Sequence, residues 1–133
     1  MHRFRKMFGG AMRQVGIIAA GALYALEHHI ERLAEDHANA RRLAEAIAEM
    51  PGLTIDLDSV ETNILYFDVA STLGTGKSFS EKLKERGVLA LATAPQRIRA
   101  VTHLDVSAAD IERAIAILQE LTGAKAKVAA RSA

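Results

Sequence analysis

Between residues 30 and 50 the positions Ile30, Leu33, His37, Ala40, Leu43, Ala44, Ile47 and Met50 recur at steps of three and four. Glu31, Glu35, Arg41, Glu45 and Glu49 fall off that stripe, so the segment reads as an amphipathic helix with one face reserved for a core. Pro51-Gly52 ends it. Upstream, residues 11–27 follow the pair Gly9-Gly10 and carry strong helix formers with apolar side chains on nearly every face. A helix of that kind is expected to be enclosed by other protein. The two helices are expected to run on into each other through a bend near His28 and His29.

The pattern then changes period. Leu53, Ile55 and Leu57 alternate with Thr54 and Asp56 as in a short half-buried strand, and residues 64–69 form a more fully apolar run rich in strand formers. Residues 79–86 read as a helix stopped by Gly87, followed by strands at 88–91 and 98–104 joined by a turn around Pro95. Ser107 with Asp110 opens a last helix, Val106 can staple onto Ile111, and Ile115, Leu118 and Leu121 carry its stripe to Gly123. Residues 124–133 are rich in Ala and Lys without periodicity and read as a flexible tail. The order of elements predicts an α+β domain, with helices packed on one face of a small, mainly antiparallel sheet and a long connecting helix before it.

Composition adds limits. A chain of 133 residues, half of them hydrophobic, fits one packed core. With 17 basic and 16 acidic residues the net charge is +1, which supplies no uniform field for nucleic acid or an anionic membrane. There is no cysteine, hence no disulfide framework and no thiolate chemistry, and a cytoplasmic setting is expected. Residues 14–26 are uncharged but include Gly16 and Gly21 and fall short of the roughly 20 apolar residues of a membrane span, so they read as a buried helix. Residues 1–12 are basic but lack a signal-peptide cleavage pattern.

Several residue groups invite a chemical reading. Gly74-Thr75-Gly76-Lys77-Ser78 imitates a phosphate-binding loop, but Ser71 stands where the first glycine of that pattern belongs, and a solvated loop fits better. His28, His29 and His37 with Glu27, Glu31 and Asp36 match no familiar metal-ligand spacing, and no metal site is assigned. His103 alone is read as a hydrogen-bonded strand residue. Arg3, Arg5, Lys6 and Arg13 cluster around Gly9-Gly10, which can expose backbone N–H groups to an anion if a helix starts there; a frayed cationic end is the other reading. Arg99 lies in a strand between Ile98 and Ala100, where a guanidinium needs an acceptor, either an internal acid or a ligand carboxylate.

Taken in order, these pieces resemble the threonine aldolases among the fold-type-I pyridoxal phosphate enzymes. The resemblance rests on Arg5-Lys6-Met7-Phe8-Gly9-Gly10-Ala11-Met12-Arg13-Gln14, Gly16-Ile17-Ile18-Ala19-Ala20, Leu33-Ala34-Glu35-Asp36-His37-Ala38-Asn39-Ala40, Thr62-Asn63-Ile64 and Arg99-Ala100-Val101-Thr102-His103-Leu104-Asp105-Val106. It implies the C-terminal small domain of such an enzyme, with residues 1–29 leading in from a large domain, 30–123 as the small domain and 124–133 as the tail. It implies cleavage of a β-hydroxy-α-amino acid to glycine and an aldehyde, with pyridoxal 5'-phosphate as electron sink. It further implies that Arg99 binds the substrate carboxylate, that Lys6 and Arg13 reach the cofactor phosphate, and that the lysine holding the cofactor lies upstream. No catalytic residue is then expected in this chain, which should be inactive alone and should depend on the large domain and on a homo-oligomer. Ala11 stands where the family run usually has glycine, and residues 71–78 form a longer connection than usual. Two rival expectations are a stand-alone interaction module docking through the apolar helix and a nucleotide-binding protein using Gly76-Lys77-Ser78.

Overall fold

A computed structural model describes residues 1–10 and 12–124, which fall in two compact units that divide between Leu33 and Ala34. Most of the tail expected from residue 124 lies outside the described residues.

In the first unit the basic start is itself a helix, α1 (His2–Met7), whose last turn carries Arg5 and Lys6 at its negative end. Gly9, at φ 83°, donates its N–H to the Lys6 carbonyl at 3.3 Å, and Gly10 donates to the Arg5 carbonyl at 2.8 Å. The diglycine therefore ends a helix instead of opening one, and these two N–H groups are not available to an anion. A Cβ on Gly10 would lie 2.8 Å from Arg5 Cγ and 3.0 Å from Arg5 O, so that tight return needs glycine. The apolar helix α2 (Gly16–His28) starts five residues later than its sequence suggests. Within its own unit none of its residues is buried, and Ile17 is 89% exposed, so that unit does not supply the expected cover. It does not run on: His29 caps it, residues 30–32 turn, and Leu33 donates to Ile30 O at 3.2 Å.

The second unit is the α+β domain. Helix α3 (Leu33–Ala48) buries Asp36, Ala40, Leu43, Ala44 and Ile47, with Asp36 in place of the expected His37. Thr102, also buried, donates its hydroxyl to the Asp36 carbonyl at 2.7 Å, a polar tie that side-chain periodicity does not announce. Strand β1 is only Leu53–Thr54, because the Asp56 carboxylate accepts from the Asp58 N–H and folds Leu57–Ser59 into a 3₁₀ turn. Strand β2 (Ile64–Val69) occupies the six positions read from the sequence. Helix α4 (Gly76–Glu85) begins three residues early through a capping box between Thr75 and Ser78. Strand β3 (Leu91–Ala92) starts late because Gly87 N–H and Val88 N–H still serve the helix end, on Lys84 O and Leu83 O. Strand β4 is Arg97–Val101. Helix α5 (Ala108–Thr122) has the Ser107–Asp110 capping box and a left-handed Gly123 at its end; the Ser107 hydroxyl, with its backbone N–H, holds the Asp110 carboxyl below the usual range.

The four strands are all antiparallel, in the order β1-β2-β4-β3, with Tyr66 opposite Arg99 and Arg99 opposite Leu91. Alternation along β2 and β4 sends Leu65, Phe67, Val69, Ile98 and Ala100 to one face. There they join Leu43 and Ile47 of α3, Phe79 and Leu83 of α4, and Ile111, Ile115 and Leu118 of α5, so all three helices cover the same side. At the edge of this core Gly76 is pressed against the turn before β4: a Cβ there would meet Ala94 O at 3.1 Å and the Arg97 backbone N and O at 3.3 Å. Gly76→Ala must push two backbone segments apart and is expected to cost about 1–3 kcal/mol, read as a lower urea midpoint at unchanged slope.

Candidate functional site

The other face of the sheet presents Ile64, Tyr66 and Asp68 of β2 beside Val101, Arg99 and Arg97 of β4. Two arginines thus share one face two residues apart, and they are used differently. Arg97 donates from Nε to Asp68 Oδ1 at 2.9 Å and from Nη2 to Oδ2 at 2.8 Å, a planar two-point pair. Those hydrogen bonds from Arg97 hold the Asp68 carboxyl below its ordinary value. The lowered value means that the pair stabilises the fold above the unfolded carboxylate's pKa and that this contribution fades as pH falls through the folded one. Both side chains are about half exposed, so solvent screens the pair and its contribution to stability is small. A carboxyl NMR titration of Asp68 is expected to have its midpoint below 3.8 and to move up in Arg97→Gln.

Arg99 makes no ion pair with any described residue, and its Nε is buried without a hydrogen-bond partner. Leaving a buried donor unmade costs about 1–3 kcal/mol, and more when the group is charged, so the fold holds an acceptor-seeking group that no described acid meets. Arg99 opens onto a cavity of about 360 Å³ shared with Ser80 and Lys84 of α4, Leu91, Val101 and His103. The Ser80 hydroxyl is committed to the Ala90 carbonyl. His103 Nδ1 lies 3.3 Å from the Asp105 backbone nitrogen and 3.7 Å from its carboxylate, so that side of the ring is turned to Asp105.

Sequence reasoning singled out Arg99 and read His103 as a strand residue, which it is not, since β4 ends at Val101; it did not single out Ser80, Lys84 or Leu91. Alternation along β4 is the signal that could have placed Arg97 and Val101 beside it, whereas Ser80 and Lys84 reach the cavity from a separate helix. Lys6 and Arg13 belong to the first unit, Lys6 on α1 and Arg13 in the turn before α2; both are exposed, and neither makes an ion pair with a described residue. With the Gly9 and Gly10 N–H groups taken, any phosphate in that region would depend on such side chains. The N–H groups of 75, 76 and 78 are already taken: Thr75 N–H meets Ser78 Oγ at 3.0 Å, Ser78 N–H meets Thr75 Oγ1 at 3.2 Å and Gly76 N–H meets Pro95 O, in the turn before β4, at 2.7 Å. Among the described residues no group of three or more His, Asp or Glu is placed to hold a metal, and no helix is long and apolar enough to cross a membrane.

A model of the β-eliminating lyase family matches residues 1–72, more than half of the 133. The chain belongs to the β-eliminating lyase family. It is 35% identical over 118 residues to low-specificity L-threonine aldolase 1 of Arabidopsis thaliana, covering 87% of this chain and 33% of that protein. It is 43% identical over 105 residues to the low specificity L-threonine aldolase of Escherichia coli K12, covering 79% of this chain and 29% of that protein. The chain therefore spans about a third of the length of the curated relatives it matches. Among solved structures it is similar to the cystine C-S lyase C-DES in complex with cysteine persulfide, at TM-score 0.63 and 22% identity over 78% of this chain and 28% of that one. It is also similar to MppP soaked with 2-ketoarginine, at TM-score 0.55 and 19% identity over 74% of this chain and 30% of that one. The small antiparallel sheet with helices on one face is the fold expected from the sequence.

Proposed function

We propose that this chain is the C-terminal portion of a pyridoxal-phosphate-dependent threonine aldolase-type lyase, contributing the group that orients the amino acid substrate. The observation that carries this reading is the contrast between two arginines on one sheet face. Arg97 is matched to Asp68, whereas Arg99 keeps a buried Nε with no acceptor at the wall of a cavity. A substrate carboxylate supplies the planar acceptor that this guanidinium lacks. The relatives named as threonine aldolases point to the same chemistry.

In the complete enzyme, pyridoxal phosphate, when bound, supplies the electron sink for breaking the carbon–carbon bond of a β-hydroxy-α-amino acid, releasing glycine and an aldehyde. Arg99 grips the carboxylate by two parallel hydrogen bonds and so fixes the orientation of the bond to be broken. Lys6 and Arg13 fit a phosphate as exposed cations near the Gly9-Gly10 turn. The exposed apolar sides of α2 and the open sheet face are surfaces for the large domain and for further subunits of a homo-oligomer. The lysine that binds the cofactor belongs to the large domain, so the 133-residue chain has no aldolase activity by itself.

A graft tests this. Replacing the matching segment of the Escherichia coli enzyme with this chain should give a protein that releases glycine and acetaldehyde from threonine. The chain alone, incubated with pyridoxal phosphate and then borohydride, should yield no stoichiometrically labelled lysine peptide and no aldehyde. A folded graft that binds cofactor but never turns over, or one lysine of the isolated chain labelled to completion, would overturn the assignment.

A further inference from the structure

We infer that the Arg99 cavity has two anion-seeking ends, so that the ligand class it favours is a short dicarboxylate: in enzyme terms, an amino acid with a second acid group on its side chain. This rests on the reading of Arg99 as a carboxylate binder and adds a second subsite to it.

Size is the first reason. A carboxylate displaces on the order of one or two waters, each about 30 Å³ in the liquid, which leaves most of a cavity of about 360 Å³ unfilled. Charge is the second. Lys84 lines the same cavity as Arg99, no acidic residue among those described lines it, and Lys84 makes no ion pair with a described residue. His103 lines it as well, with its Nδ1 side turned to Asp105; Asp105 itself does not line this cavity. Ser80 adds nothing to the count, because its hydroxyl already serves Ala90 O. The wall chemistry is the third reason. Leu89, Leu91 and Val101, exposed by 79%, 54% and 39%, give an apolar surface along which a methylene stem can lie between the cationic groups. A ligand with one carboxylate satisfies Arg99 and leaves Lys84 unmatched; one with a carboxylate at each end of a short stem satisfies both.

The experiment uses the 133-residue chain and follows the Arg99 Nε–H resonance by ¹⁵N-correlated NMR, assigned by its loss in Arg99→Lys. Succinate is titrated against monomethyl succinate, which has the same stem and one charge, at constant ionic strength. Both should shift the resonance. Succinate should bind about five- to tenfold more tightly, of which twofold is the statistical advantage of two equivalent ends and the rest the gain from one exposed ion pair. Lys84→Met, at an exposed position of α4, should cut the ratio to about two. A ratio of about two in the unsubstituted chain, or an unchanged ratio in Lys84→Met, would remove the second subsite and leave the Arg99 reading standing. No shift with either acid would sink both.

Discussion

Arg99→Lys, made in the graft of this chain onto the rest of the Escherichia coli enzyme, is expected to lower kcat/KM for threonine by about one to two orders of magnitude. The substitution keeps the positive charge and changes its shape. An ammonium offers a point charge on a flexible stem where the guanidinium offered a planar fork, so the carboxylate loses one of two parallel hydrogen bonds and with it the fixed orientation of the reacting bond. A charge-assisted hydrogen bond is worth about 1.5–3 kcal/mol, which is the size of the expected loss. Both KM and kcat should suffer, while the absorbance of bound cofactor stays as it was. Arg13→Ala is the control, since its proposed partner is the phosphate: it should weaken cofactor retention more than substrate binding. Near-wild-type efficiency in Arg99→Lys, or loss of cofactor with substrate affinity intact, would mean that Arg99 faces a different anion.

How far such a site can be read from sequence differs from element to element. Helix α5 was legible from its capping residues to Gly123, because both ends are set by local chemistry: a Ser107–Asp110 box and a left-handed glycine. Strand β2 was legible as a run of strand formers, although the sequence suggested a more fully apolar strand and the structure buries only alternate positions. The errors lie where a hydrogen bond outweighed the pattern. Asp56 closed a 3₁₀ turn on what alternation would have continued as strand, and Gly87 and Val88 were taken by the end of α4 before β3 could begin. Gly9-Gly10 suggested a helix start with free N–H groups, yet a short basic helix before it claimed both. At the candidate site the choice between an internal acid and a ligand for Arg99 was open in the sequence. It was the register of β2 on β4, pairing Asp68 with Arg97 and Tyr66 with Arg99, that gave the acid to the neighbouring arginine. Register is a long-range property, and one residue of slip would have exchanged the faces. The cavity around Arg99 was invisible for the same reason, since Lys84 and Ser80 arrive from a helix that the sequence places but does not orient.

The site also depends on a core that is far from it in chemistry, and Phe79→Ala should show how much. Phe79 is fully buried on α4, one turn before Leu83, in the cluster that includes Ile47 of α3, Leu65 and Phe67 of β2, Ile98 of β4 and Ile115 of α5. Removing the ring forfeits its transfer free energy and leaves a void that surrounding helices and sheet close only in part, a loss of about 3–5 kcal/mol. Against a total stability of roughly 5–15 kcal/mol for a domain, that is enough to leave a large unfolded fraction on mild heating, with a fall in Tm of more than about 10 °C. Helix α4 also carries Ser80 and Lys84 into the cavity, so loosening its seat should blur the Arg99 Nε–H resonance before the domain unfolds. Leu89→Ala is the matching control, because Leu89 is 79% exposed and its loss should change stability by no more than about 0.5 kcal/mol. Equal losses in the two variants would mean that α4 is not seated on the sheet through Phe79, and that Arg99 and Lys84 are not held on one framework.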